Sequence, residues 1–180
     1  ALLAGSRAFE LKFLMPRFVA LERQLNADPR LADYRLVVAC APSLELATYR
    51  QYLPEGSRIE LIPDRTRDIL HQADAAVISS GTASLEAALL GTPQVVCYGA
   101  DAVSFTLARL TVKVPYISLA NLTLDRPVFR ELLQDQASPG HIKEELERLL
   151  LDGACRAQLA ADYQELKTRL GGTGASGRTA

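Results

Sequence analysis

Short apolar runs alternate with segments of helical spacing along the first half of the chain. Most of the runs contain valine or isoleucine and are followed by glycine, proline or small polar residues, which is typical of strands; they cover residues 1–4, 34–40, 58–62, 75–79 and 94–98. The segments between them predict helices after residue 7 and over residues 44–53, 66–72 and 83–90. Strands separated by helices pair in parallel, so the pattern predicts an α/β fold, a doubly wound, Rossmann-like parallel sheet whose ligands bind beyond the carboxyl ends of its strands.

The first of these helices has the clearest amphipathic pattern. One face carries Leu11, Leu14, Met15, Phe18, Leu21 and Leu25. Because Pro16 interrupts the same segment, we expect a kink or a late start of the helix.

Beyond residue 100 the pattern is weaker. It predicts a helix over residues 101–112, a loop over 121–127, and between them a short sixth strand over 114–119, which Pro115 confines to an edge or an irregular path. Three closing helices are predicted over residues 128–133, 142–151 and 157–170, with Ser138 and Pro139 at the start of the second. Residues 171–180 are rich in glycine and lack an apolar stripe, which predicts a frayed or truncated tail.

A turn of small residues, Ser80-Gly81-Thr82, joins the fourth predicted strand to its helix. The first N–H groups of that helix have no partner within the helix, so the turn predicts a phosphate site that needs no lysine. Four hydroxyl groups are expected to crowd this point, those of Ser79, Ser80, Thr82 and Ser84. Glu86, one turn along, is placed to accept hydrogen bonds from the vicinal hydroxyls of a ribose. Two simpler interpretations stay open: small residues allow close strand–helix packing, and Glu86 balances the helix dipole.

A second strand-to-helix turn, Gly5-Ser6-Arg7, follows the first predicted strand. A guanidinium at the mouth of the sheet can bind phosphate oxygens with paired hydrogen bonds. The alternative is a solvated arginine, but a cation at a helix N-terminus is electrostatically unfavourable, which favours a binding role. Asn121 lies in the predicted loop at the same edge. Its amide is suited to hydrogen-bonding a uracil, a sugar hydroxyl or a phosphate, or equally to shaping a turn.

Composition narrows the classes of function. The 180 residues, 48% of them hydrophobic, suit one domain with a sizeable core. The net charge of −1 gives no electrostatic footprint for nucleic acid, and no run of about 18 uncharged apolar residues predicts a membrane span. His71 and His141 are the only histidines and have no ligand-type neighbour at useful spacing, so no metal site is predicted.

Two further features bear on where the protein works and how much of it the sequence represents. Cys40, Cys97 and Cys155 are far apart and odd in number, which predicts reduced thiols in a cytosolic protein. The chain begins at Ala1 inside a predicted strand, so we expect a segment of a longer protein.

Several motifs, taken in order, resemble the lipid A disaccharide synthases of Gram-negative bacteria, which are inverting glycosyltransferases of the two-domain GT-B type. The matching segments are residues 2–7, 80–86, 95–98, 116–122 and 126–133, and residues 174–176 with Arg178. The likeness covers nearly the whole chain. Each segment alone is weak, because small-residue turns followed by a glutamate occur in many nucleotide-sugar enzymes, but the ordered set is specific.

The resemblance implies that residues 1–180 form a single Rossmann-like domain that binds the UDP-sugar donor, the carboxyl-terminal half of a GT-B enzyme. That family transfers 2,3-diacylglucosamine from its UDP carrier to 2,3-diacylglucosamine 1-phosphate and releases UDP, in lipid A and lipopolysaccharide biosynthesis. The resemblance also implies donor-binding roles for Gly5, Ser6, Arg7, Ser80, Gly81, Thr82, Glu86, Asn121 and Arg126. Arg7 and Asn121 would stabilise the leaving group, with no catalytic metal and no cofactor.

The resemblance also implies a setting for the parent enzyme. It would be cytoplasmic and peripheral to the inner membrane, and would bind the acylated acceptor through an upstream half; a homodimer stays open. Because that half would supply the general base, we expect this hexosyltransferase fragment alone to be inactive. Ala8-Phe9 precede Glu10 where relatives are expected to have a polar, glutamate-containing turn, which bears on the donor contacts of this loop.

Two other interpretations remain open at this point. One is an enzyme like UDP-N-acetylglucosamine 2-epimerase, whose absent half would carry acid and base carboxylates. The other is a non-catalytic nucleotide-binding module, which would need a natural start near Ala1.

Overall fold

The computed structural model describes residues 1–79, 81–99 and 116–171. Its centre is a six-stranded sheet formed by β1 (Leu2–Leu3), β2 (Val37–Cys40), β3 (Glu60–Pro63), β4 (Ala76–Ser79), β5 (Gln94–Tyr98) and β6 (Glu131–Leu133). The order across the sheet is β3-β2-β1-β4-β5-β6, and each neighbouring pair is parallel. The predicted doubly wound α/β fold is therefore confirmed.

The direction of winding reverses between β1 and β4. From β1 the chain builds outward through β2 to β3, returns to the centre as β4, and then builds outward in the other direction. Leu3 of β1 lies opposite Ile78 of β4, so the carboxyl ends of these strands are side by side. In sheets of this topology the crevice at the reversal is where ligands bind.

Helices pack on the sheet and bury its side chains. They are α1 (Ala8–Asn26), α2 (Leu46–Arg50), α3 (Thr66–Gln72), α4 (Thr82–Leu90), α5 (Leu119–Leu124), α6 (Pro139–Leu151) and α7 (Gly153–Arg169). Alternate strand residues enter two clusters: Leu2 and Val77 pack with the α1 stripe, whereas Leu3 and Ile78 pack with α3 and α4. Burial on both faces explains why the strands are continuous apolar runs.

The predicted apolar stripe of α1 is entirely buried. The helix begins at Ala8 and continues through Pro16, so the expected late start is wrong. Pro16 is exposed, and the carbonyl that its missing N–H would have bonded, that of Lys12, can therefore be hydrated.

The prediction for residues 116–133 needs correction. Residues 117–118 form a bend and Leu119–Leu124 a helix, where a strand ending at residue 119 and a loop from residue 121 were predicted. Glu131–Leu133 form β6, not a helix, because they pair with residues 96–98 of β5. Pairing with a neighbouring strand overrides the local helical preference of leucine and glutamate. The predicted helix over 101–112 and the start of the predicted strand at 114–115 lie outside the described residues.

Two of the closing helices are confirmed; α6 begins at the predicted Ser138-Pro139, and α7 begins four residues earlier than predicted. The Ser138 hydroxyl accepts a hydrogen bond from His141 N, with Pro139 in the first turn of α6. The Asp152 carboxylate accepts hydrogen bonds from Ala154 N and Cys155 N, so α7 starts at Gly153. Residues 172–180 lie outside the described part of the chain.

Candidate functional site

Two strand-to-helix turns lie next to each other at the carboxyl edge of the sheet. Residues 4–7 follow β1, and the turn that contains Gly81 follows β4. Because β1 and β4 are paired in parallel, with Leu3 opposite Ile78, both turns emerge at the reversal of winding. Of the predicted site residues, Gly5, Ser6 and Arg7 therefore lie at the same edge of the sheet as Gly81 and Thr82; Ser80 lies outside the described residues.

The turn after β1 is capped by a carboxylate from its own helix. Glu10 Oε2 accepts hydrogen bonds from Ser6 N at 2.8 Å and from Arg7 N at 3.1 Å. Gly5 has φ +97°, and a Cβ there would lie 2.2 Å from Glu10 Oε2. Glycine at this position therefore serves both the backbone conformation and the approach of the carboxylate.

Residues from the neighbouring β2–α2 segment hold the carbonyl side of the same turn. Ser43 Oγ donates to Ser6 O at 3.1 Å, and the Tyr49 hydroxyl makes a long contact of 3.5 Å with Gly5 O. Tyr49 is fully buried and accepts a hydrogen bond from Ala41 N at 2.9 Å, and burial raises the pKa of its phenol. The backbone of the turn is thus held from several directions, whereas the Arg7 side chain is exposed and has no polar partner among the described residues.

The turn after β4 has an unusual backbone and an uncapped helix. Gly81 has φ +147° and ψ −163°, a conformation essentially confined to glycine, and the space beside its Cα is open. No described side chain caps α4; the N–H of Ser84 donates to Gly81 O at 3.2 Å, which leaves the N–H groups of Thr82 and Ala83 without a described partner at this edge. Thr82 and Glu86 are both exposed, and Gly91 ends the helix in the left-handed conformation.

The expected crowding of hydroxyl groups at this turn is wrong for Ser84. Its side chain is fully buried and its hydroxyl donates to Gly81 O at 2.8 Å, so it stabilises the turn from within. Ser79 is also buried, with 9% of its surface exposed. Of the three described residues expected to crowd this turn, Ser79, Thr82 and Ser84, only Thr82 is exposed.

Asn121 lies in α5, not in a loop, and its amide is used inside the protein. Its Nδ2 donates to Phe129 O and Glu131 Oε1, each at 3.0 Å, while its Oδ1 accepts from Val128 N at 2.9 Å and Phe129 N at 3.3 Å. The residue is 1% exposed. These contacts tie α5 to β6 and occupy the amide fully, so a direct donor contact by Asn121 would require them to change.

Arg126 pairs with α7. Its Nη2 lies 2.7 Å from Asp162 Oδ1 and 2.6 Å from Glu165 Oε2. The hydrogen bond from Arg126 lowers the pKa of Glu165. Arg126 is thus held by α7, and no described hydrogen bond or ion pair joins it to either of the two turns.

Sequence reasoning missed two carboxylates that organise these elements. Glu131 accepts hydrogen bonds from Ile117 N at 2.9 Å and Ser118 N at 2.8 Å, and also from Ser118 Oγ, so it caps α5 from across the chain. Glu10 lies three residues after the N-cap residue Arg7, which is the capping-box position, and that spacing could have revealed it. No local spacing could have revealed Glu131.

The remaining candidate chemistry lies away from this edge or inside the core. Cys40 and Cys97 are buried, and burial raises the pKa of their thiols to about 11 and about 12. Within the described ranges, no three His, Cys, Asp or Glu side chains are grouped as a metal site would require. None of the described helices is both long and apolar enough to cross a bilayer.

Comparison with known proteins assigns the chain to a family. The family model described as lipid-A-disaccharide synthetase matches residues 1–178. The chain belongs to the lipid-A-disaccharide synthetase family. The lipid-A-disaccharide synthase of Anaeromyxobacter dehalogenans is 39% identical over 183 residues, which cover 100% of this chain and 47% of that protein. That of Myxococcus xanthus is 38% identical over 183 residues, again covering 100% of this chain and 47% of that protein.

This lipid-A-disaccharide synthetase family member spans about half the length of the curated relatives it matches. Among solved structures, the calicheamicin glycosyltransferase CalG4 is similar with a TM-score of 0.58 and 21% identity, over 95% of this chain and 39% of that one. The kitacinnamycin glycotransferase gives a TM-score of 0.58 and 20% identity over the same shares. These neighbours support the fold alone, that of one half of a GT-B glycosyltransferase.

Proposed function

We propose that this chain is the donor-binding half of a lipid A disaccharide synthase. The parent enzyme would transfer 2,3-diacylglucosamine from its UDP carrier to 2,3-diacylglucosamine 1-phosphate. The observation that carries this proposal is the family match over residues 1–178. The same match favours the transferase over the epimerase-like and non-catalytic interpretations.

The donor site we propose is the pair of turns at the carboxyl ends of β1 and β4. The N-terminus of α4, which no described side chain caps, and the exposed Arg7 guanidinium would receive the diphosphate, and Ser80, Gly81 and Thr82 would bring their backbone amides to it. Glu86, exposed one turn along α4, would accept hydrogen bonds from the ribose hydroxyls. Given their contacts, we propose that Asn121 and Arg126 support this site through α5 and α7.

The proposed reaction places negative charge on the leaving diphosphate. An acceptor hydroxyl oxygen attacks C1 of the donor sugar, the bond from C1 to the diphosphate oxygen breaks, and its electron pair leaves with UDP. A fixed positive charge stabilises the negative charge that develops on the leaving diphosphate, and this is the role proposed for the N-terminus of α4 and for Arg7. A general base takes the hydroxyl proton. We place this base, the acyl-bearing acceptor and any contact with the membrane in the half of the relatives that this chain does not span.

Calorimetric titration of the chain with UDP tests the donor site. We expect binding, and we expect Arg7→Ala to weaken it by about tenfold, because a charge-assisted contact to the diphosphate is lost. Arg35→Ala is the matched control: it removes the same charge at the opposite edge of the sheet, where Arg35 makes only an exposed ion pair with Glu60. A folded chain that gives no heat with UDP, or equal losses in both variants, would contradict the proposal.

A further inference from the structure

The two helix N-termini at the proposed donor site differ in what occupies them. At α1, Glu10 already accepts hydrogen bonds from Ser6 N and Arg7 N. At α4, no described side chain caps the first turn. A diphosphate arriving at this edge would therefore find one helix end filled by an internal carboxylate and the other open.

Glu10 also sets the backbone from which Arg7 extends. Arg7 is the N-cap residue of α1, with extended backbone angles of φ −126° and ψ 146°, and its N–H is one of the two groups that the carboxylate holds. The approach is close enough that a Cβ on Gly5 would lie 2.2 Å from Glu10 Oε2. With Ser43 holding Ser6 O, the turn has little freedom to reorient, whereas the Arg7 side chain beyond it is exposed.

We infer that Glu10 is the positioning residue for Arg7: its carboxylate, hydrogen-bonded to Ser6 N and Arg7 N over Gly5, orients the guanidinium towards the donor diphosphate and directs that diphosphate to the N-terminus of α4. This inference rests on the proposed donor site. Its physical basis is preorganisation, because a fixed turn lowers the ordering cost that a long arginine side chain imposes on binding. Glu10 itself makes no contact with the donor.

Two substitutions separate the reach of the side chain from its charge. Glu10→Gln keeps the length and an amide oxygen that can accept both N–H groups, but removes the negative charge. Glu10→Asp keeps the charge and is acceptable in the first turn of a helix, but its shorter side chain cannot hold both N–H groups over Gly5. Circular dichroism and thermal melting would verify that both variants fold.

The test is a double-mutant cycle with UDP, in which calorimetry compares both Glu10 variants in the Arg7 and Arg7→Ala backgrounds. We expect Glu10→Gln to bind UDP about tenfold more tightly than Glu10→Asp when Arg7 is present, since a lost hydrogen-bond pair has a cost of that order. In the Arg7→Ala background the two variants should bind equally, because Glu10 acts through Arg7. If Glu10 were only a structural cap, the two Glu10 variants would differ in UDP affinity by the same factor with Arg7 and with Arg7→Ala.

The outcomes distinguish this inference from the proposed function. If the folded wild-type chain does not bind UDP, the donor site fails and the positioning role fails with it. If the wild type binds but Glu10→Asp and Glu10→Gln have equal affinities, or differ equally with and without Arg7, only the positioning role is overturned. Tighter binding by Glu10→Gln that disappears with Arg7 supports it.

Discussion

At the scale of single residues, the hydrogen bonds that a polar side chain already makes decide what it is free to do. Arg7 and Asn121 were both predicted at the ligand edge because each follows a predicted strand, and the family resemblance implied donor binding for both. The structure leaves Arg7 exposed, whereas Asn121 is 1% exposed and makes four hydrogen bonds to residues 128–131. Sequence reasoning could place Arg7 because its turn is local, but could not place Asn121 because its partners depend on β6.

The contacts of Asn121 predict a stability effect. Asn121→Ala would leave the N–H groups of Val128 and Phe129 and the carbonyl of Phe129 without their partner in a buried setting. We expect the free energy of unfolding to fall by about 2–4 kcal/mol, measured by urea denaturation. Thr123→Ala, on the same helix but partly exposed, is the control and should cost far less. If Asn121→Ala unfolds like wild type but loses UDP binding, the residue contacts the donor instead.

At the scale of helices and strands, the way an element is buried decides how well its bounds can be predicted from the sequence. The bounds of α3 and β5 are as predicted, because each is a short, clearly bounded run packed in the sheet layers. The three-residue strand β6 could not be recognised, since so short a segment has no period of its own and is fixed only by pairing with β5. The ion-pair contact between α1 and α6 could not be predicted either, because its charged residues are far apart in the sequence.

The ion-pair contact between α1 and α6 predicts that the stability of the fold depends on pH. Asp28, just beyond α1, accepts hydrogen bonds from Arg30 and from Lys143 of α6, and Lys143 also contacts Glu147. The hydrogen bonds from Arg30, then those from Lys143, hold the pKa of Asp28 well below its usual range. A carboxyl group whose pKa is lower in the folded state stabilises the fold above its unfolded pKa of about 3.9 and loses that contribution as the pH falls further.

We therefore expect Asp28→Asn to be less stable than wild type at neutral pH, with the difference shrinking as the pH is lowered from about 5 towards 2. Thermal melting across this range measures it. Asp33→Asn is the matched control, because Asp33 is exposed and has no side-chain partner in the described part of the chain. A constant difference between Asp28→Asn and wild type over the whole range would show that the ion pairs do not couple α1 to α6.

At the scale of the whole molecule, the sheet order explains why the candidate site lies where it does. Alternating strands and helices predicted the doubly wound fold, and the reversal between β1 and β4 brings two distant turns together at one edge. The family match extends over residues 1–178, but the chain spans about half of its curated relatives. We therefore propose donor binding for this chain, and acceptor binding and proton transfer for the part of the relatives that it does not span.

Two-dimensional amide NMR, which suits a chain of 19.6 kDa, shows most directly where UDP binds. We predict that UDP shifts the amide signals of Arg7, Gly81 and Thr82 more than uridine does, because only UDP carries the diphosphate. Signals at the amino edge of the sheet, such as those of Val37 in β2 and Ala76 in β4, should stay in place. Shifts confined to that amino edge, or equal shifts with uridine and UDP at Gly81 and Thr82, would contradict the central claim that the diphosphate is bound where β1 and β4 end.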